Sequence, residues 1–150
     1  MLRIAPIVIS SIALGFSVFA FREGRIRYKR DLFLKIHELM ISEDQYRGRQ
    51  LLLMGTFRDD NSIESLPADQ RANISRALGA YDTLGLYLRR GYLIEEDVMT
   101  MWGDPARRAW NAAEPFVARR KERSGLPAYP YFEYLSDQAV RWHRKHHASG

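Results

Sequence analysis

Apolar and polar positions along the chain follow three regimes. The first is unbroken. From Ile4 to Phe21, "IAPIVISSIALGFSVFAF", 18 residues carry no charge, with Pro6 where a first helical turn tolerates it. At ~1.5 Å per residue the stretch makes roughly 27 Å of helix, near the hydrocarbon thickness of a bilayer. The second regime is a basic collar: Arg22, Arg25, Arg27, Lys29 and Arg30 against one acid, Glu23. The third, from residue 31, is helical periodicity.

In "KRDLFLKIHELMIS", Leu32, Ile36, Leu39 and Met40 share a face. Only Gly24 interrupts the way from the apolar stretch, so one helix is expected to run through both. Ser42 and Gln45 have capping-box spacing and start a second helix, with Tyr46, Leu53 and Phe57 expected inward. "RDDNSIES" reads as a polar loop. It is no EF-hand, because counted from Asp59 the sixth position is Glu64, where glycine is required. Pro67 opens the longest helix, whose stripe is Ile74, Leu78, Tyr81, Gly85 and Leu88, with Gly91 as its stop. Gly79 and Gly85 each cost ~1 kcal/mol against alanine in a helix interior, a cost that close approach of a neighbouring helix would offset.

A short helix, "EEDVMTMWG", places Glu95, Glu96 and Asp97 at its electropositive start. The next segment puts Ala106, Trp110, Ala113 and Val117 on one side, with Ala109 and Phe116 adjoining and an expected kink at Pro115. After a turn at "LPAYP", Tyr131, Leu135, Ala139 and Trp142 form the stripe of a last helix. No stretch alternates for long with period two, so no sheet is expected. The expected fold is all-α: an N-terminal transmembrane helix and then a small cytoplasmic bundle of about five to six helices. Its divisions are a tail at 1–3, the span at 4–21, the basic juxtamembrane segment at 22–30, the helical domain at 31–147 and a tail at 148–150.

Two alternatives to a retained span are a cleaved signal, since Val18-Phe19-Ala20 has suitable small residues, and a buried soluble helix. The collar argues for retention, with the N-terminus outside and the rest in the cytoplasm at the inner membrane. Charge changes the picture only when it is located. The chain is formally +5, yet residues 31–150 hold 17 basic and 17 acidic side chains. The excess sits in Arg3 and the collar, where the expected partners are the bilayer and its anionic headgroups, and nucleic acid is not an expected partner. Within the domain, residues 59–104 carry four basic and nine acidic side chains, and 105–150 carry nine and four. That asymmetry suits halves that face each other or are solvated separately, or else docking of an acidic protein partner. Ser11 and Gly15 form a small-xxx-small pair that would allow a homodimer through the transmembrane helix.

Chemistry is sparse. With no cysteine, thiol catalysis, thiolate metal sites and disulfides are excluded. No nucleophile elbow, P-loop or dinucleotide fingerprint occurs, and His37-Glu38 lacks the second histidine of a zincin. "WHRKHH" brings His143, His146 and His147 to helical spacing compatible with a metal. It lacks a carboxylate ligand, and a cationic helix end explains it without one. No cofactor is expected. Asp82, at the edge of the longest stripe, is expected to face a neighbouring helix and to need a partner, with Arg120 the favoured one and Arg119 the other candidate.

The segments "YDTLGLYLRRGYLIEED", Trp110, "ARRKERSG" and "YPYFEYL", behind a membrane anchor, resemble the bacterial domain-of-unknown-function family 4760. The resemblance implies a small helical domain, often tethered, with no established activity and no functional residues to transfer. The sequence thus points to a membrane-tethered interaction or scaffold domain, with a membrane-associated enzyme working between its long helices as the alternative.

Overall fold

The computed structural model describes residues 5–55, 63 and 65–147, with side chains for 17–55, 63 and 65–146. Helix α1 spans Ala5–Ile41, 37 residues or roughly 55 Å, and passes Gly24 without a break, as expected. A Cβ at Gly24 would touch nothing within 4 Å. Ser42 then turns the chain into α2, Glu43–Met54. The turn is held by Ser42 N–H donating to the Leu39 carbonyl at 3.2 Å. Arg49 of α2 donates back to the Met40 carbonyl, satisfying one of the carbonyls that a helix C-terminus leaves without a partner.

Helix α3, Ala68–Arg89, starts from Pro67 at its N-cap. It ends on Gly91 at φ +70°, the left-handed conformation that a side chain would strain. Gly91 N–H bonds the Leu88 carbonyl and Tyr92 N–H the Tyr87 carbonyl, at 2.9 and 3.0 Å. With the Tyr87 and Tyr92 rings meeting edge-on, this is a complete Schellman stop. Helix α4, Glu95–Val98, a π-helical turn at Met99–Gly103 and α5, Asp104–Ser124, form one continuous rod. After Gly125 and the "LPAYP" turn comes α6, Pro130–His147.

The packing is a closed circuit, α2 on α3, α3 on α6, α6 on α5 and α5 on α2, so four helices enclose one core. Phe132 lies at its centre, stacked on Tyr81 with centroids 4.7 Å apart and met edge-on by Trp110 at 5.1 Å. Ala106, Ala109 and Ala113 are fully buried, and their small side chains let α5 approach closely. From α1, Ile36 and Met40 enter the core. The described residues are all-helical with no strand.

Several expectations change here. In α2 the inward residues are Gln45, Gly48 and Leu52, and Tyr46 and Leu53 are exposed. The reason is Gly48, where a Cβ would lie 2.1 Å from the Asn73 carbonyl oxygen. Backbone contact with α3 therefore sets the rotation of α2, and no apolar count could report it. Phe57 lies outside the described residues. Ser42 is the N-cap of α2 but makes no side-chain capping bond. Leu39 faces outward while its neighbour Met40 is buried. Of the two α3 glycines, only Gly85 is at a close approach, 1.9 Å between its ideal Cβ and the Tyr131 carbonyl oxygen, and Gly79 has open space.

Among the described residues no helix is long and apolar enough to cross a membrane. The stretch Ile4–Phe21, on which the transmembrane expectation rests, has its side chains before Ser17 outside the described residues. The same holds for Ser11 and Gly15. Most of the "RDDNSIES" loop and the tail at 148–150 also lie outside them.

Candidate functional site

Three places combine side chains that the fold alone does not require. The first is the collar. Arg22, Arg25, Arg27 and Arg30 are exposed and Lys29 is half-buried. Arg27 pairs with Glu23 at 2.5 Å, one turn apart. At 100° per residue, Arg22, Arg25, Ile26 and Lys29 fall on one face of α1 and the Glu23–Arg27 pair on another. That first face continues into Phe33, Ile36 and Met40, which pack on the body. Where α1 leaves the body, Arg22, Arg25, Ile26 and Lys29 face Ile94 across a groove of about 240 Å³.

The second place is the seam between α3 and α6. Asp82 Oδ1 accepts the backbone N–H groups of Tyr131 and Phe132, at 2.9 and 3.0 Å. The start of α6 needs this. Tyr129 is left-handed, φ +54°, with no short side chain to cap the helix, and Pro130 has no N–H to offer. A carboxylate from α3 caps α6 across the bundle and meets the positive end of its dipole. The partners described for Asp82 are thus backbone N–H groups. No ion pair joins Asp82 to Arg120 among the described residues, and Arg120 lies over the Tyr129 ring at 5.9 Å. Arg89 adds a second clasp, over the rings of Tyr131 and Tyr134.

The third place is the π-helical turn, a distortion that proteins often keep at working sites. On one side a cleft of about 290 Å³ is lined by Met99, Thr100, Asp104, Arg107, Trp142 and His143, among others. Asp104 bonds Arg107 at 2.7 Å and Arg108 at 3.0 Å. The Arg107 hydrogen bond, with smaller help from the charges of Arg108, Arg107 and His143, holds its carboxyl below the usual range. On the other side, Trp102 packs its ring against His37 at 5.6 Å and lies under the Arg49 guanidinium at 5.4 Å. His37 Nδ1, Tyr81 Oη, Trp102 Nε1 and Gln45 Oε1 are buried with no hydrogen-bond partner among the described residues. Burial pushes the Tyr81 hydroxyl up to about 12, against the opposing pull of Arg49 and Arg108.

The terminal histidines separate. His143 lines the cleft, whereas His146 stacks on Trp142 at 3.9 Å with its Nδ1 2.9 Å from the Trp142 carbonyl. The His147 side chain lies outside the described residues. Among the described residues no group of three metal-ligating side chains is placed to hold an ion.

Fold and site together define a small four-helix body on a long, partly exposed N-terminal helix. A family model described as "Domain of unknown function (DUF4760)" matches residues 7–142, and the chain belongs to that family. No curated protein and no solved structure matches it. The segments that carried the resemblance include both halves of the α3–α6 seam, Tyr81–Arg90 and Tyr129–Leu135. The π turn escaped sequence reasoning, and so did the identity of the groups that Asp82 caps. The one signal for the cap was a helix beginning "YPY", without a capping residue of its own.

Proposed function

We propose that the protein is a single-span, membrane-tethered helical domain, with its N-terminus outside and its body in the cytoplasm serving as an interaction or scaffold module. One observation carries this reading. The stretch of α1 from Val18 to Tyr28 leaves Val18, Phe19, Phe21, Ile26 and Tyr28 uncovered by the body, Phe21 at 67% exposure. That apolar surface continues the charge-free run from Ile4 and then gives way to the basic collar. An apolar helix followed by cations is the pattern of a bilayer span held with its basic end inside. Alkaline carbonate extraction tests it: the full-length chain is expected to stay with the membrane pellet, and release into the supernatant would end the reading.

The interaction face we assign lies at the opposite end of the polarised body, where Arg120 sits near the exposed Leu126, and charge complementarity favours an acidic protein partner. In-membrane crosslinking from position 126 should capture such a partner. Pairing of two spans through Ser11 and Gly15 is a further part of the proposal, and a self-association signal unchanged by Gly15→Ile would remove it. The cleft at the π turn favours the second reading, a membrane-associated enzyme, because Thr100, Asp104, Arg107 and His143 converge there. Metabolite turnover by the full-length protein, lost in His143→Gln, would support that reading over a scaffold.

A further inference from the structure

We propose that the groove where α1 leaves the body binds the phosphate of an anionic membrane phospholipid; the inference rests on the tethered reading and adds a specific ligand site to it.

The five collar cations are not equivalent. Glu23, the one acid within the collar, is taken by Arg27 and lies off the groove face. Arg22, Arg25 and Lys29, at i, i+3 and i+7, all line the groove and form no ion pair among the described residues. Glu95, Glu96 and Asp97 follow Ile94 in sequence but pair with none of the three. Cations on the face of a helix that turns toward its own domain ordinarily find an acid there. Here the body offers Ile94 instead, opposite Ile26.

The site is thus a three-cation cradle with two apolar walls. It opens at the level where the charge-free run ends at Phe21. A phosphodiester monoanion matches the cradle, and an acyl chain can continue over Val18, which lies on the same face and is exposed. A zwitterionic headgroup fits less well, since its own ammonium would be brought among three cations. Each basic residue near an anionic surface contributes a favourable attraction, so three converging on one phosphate imply a preference of about tenfold or more.

The test uses the full-length chain in nanodiscs of phosphatidylcholine with a minority of phosphatidylglycerol, reading the lipids retained on the protein by native mass spectrometry. The wild type is expected to retain phosphatidylglycerol about tenfold above its bulk proportion. Arg22→Gln/Arg25→Gln/Lys29→Gln should abolish the enrichment, and an equal-charge control, Arg27→Gln/Arg30→Gln/Lys35→Gln, should keep it. Equal loss in both variants would overturn the site in favour of diffuse attraction. Displacement of the lipid by excess inorganic phosphate would overturn it in favour of a free anion. A marked fall in melting temperature of the first variant would overturn it too, by making the cations partners of the body's own carboxylates. Absence of enrichment in a wild type that resists carbonate extraction removes the site alone, whereas release by carbonate removes the tether and the site together.

Discussion

The exposed part of α1 and the seam between α3 and α6 are both rich in aromatic and apolar residues, and the fold treats them in opposite ways. Along 18–28, Phe19, Phe21 and Tyr28 are exposed, and Ile26 borders only the open groove beside Ile94. Along the seam, Tyr81, Leu84, Phe132 and Leu135 are buried, with the first stacked flat on the third. The difference lies in what surrounds the apolar groups. In the seam, a glycine admits a backbone, an aspartate caps the facing helix and an arginine covers two rings. On α1 the polar groups among these residues are the collar cations and the Glu23–Arg27 pair, and no facing helix is described over the exposed rings. Stability is therefore expected to reside in the seam, and location in the collar.

Breaking the seam should have the largest effect. Gly85→Leu is expected to prevent folding, and Gly85→Ala to destabilise by about 3 kcal/mol despite better helix propensity, because its Cβ would overlap the Tyr131 carbonyl. Gly79→Ala, on the same helix in open space, should instead stabilise by about 0.5–1 kcal/mol. Thermal and denaturant unfolding of the detergent-solubilised chain, followed by circular dichroism, would show the opposite signs.

Next comes the cap. Asp82→Ala should cost about 2 kcal/mol, since two N–H groups lose a charged acceptor. Arg120→Met should cost little, and the double variant should be additive. A coupling energy between the two would restore the ion pair that the seam geometry replaces. Asp82→Asn melting at or above wild type would make the carboxylate a candidate for function instead.

Tyr81 gives a smaller, pH-dependent effect. A hydroxyl whose folded pKa is raised stabilises fully below its unfolded value and loses that contribution as pH rises. The window runs from about 10, the ordinary tyrosine value, to about 12. Tyr81→Phe should unfold within about 1 kcal/mol of wild type at neutral pH, having removed a hydroxyl with no partner among the described residues, and should flatten the alkaline limb. Asp104 works in the reverse sense. Its lowered pKa gives stability present above the ordinary carboxylate value and lost as pH falls through the folded one, so Asp104→Asn should flatten the acid limb slightly. The smallest stability effect belongs to Arg22→Gln/Arg25→Gln/Lys29→Gln, whose melt should match wild type.

Legibility from sequence followed the same division. Stripes such as Ile74–Leu78–Tyr81–Gly85–Leu88 announced their buried face because apolar side chains decide it, and Gly91 announced the end of α3 because few residues tolerate φ +70°. The rotation of α2 was illegible. It is decided by backbone contact at Gly48, and a glycine in a polar run looks the same whether it meets a neighbour or water. The Asp82 cap was half legible: the need for a partner could be read, but its identity depends on which helix start lies opposite. The π turn left no mark in "MTMWG", since no residue type requires that extra backbone residue.

The proposed anchoring of the body to a membrane through α1, with the body inside, is directly testable because the chain has no native cysteine. Single cysteines, Leu2→Cys and Ala148→Cys, would be probed with a membrane-impermeant maleimide in intact bacterial cells whose outer membrane has been permeabilised. Leu2→Cys is expected to be labelled before lysis and Ala148→Cys only after it. Labelling of Ala148→Cys in intact cells, or recovery of the unlabelled chain in the soluble fraction, would contradict it.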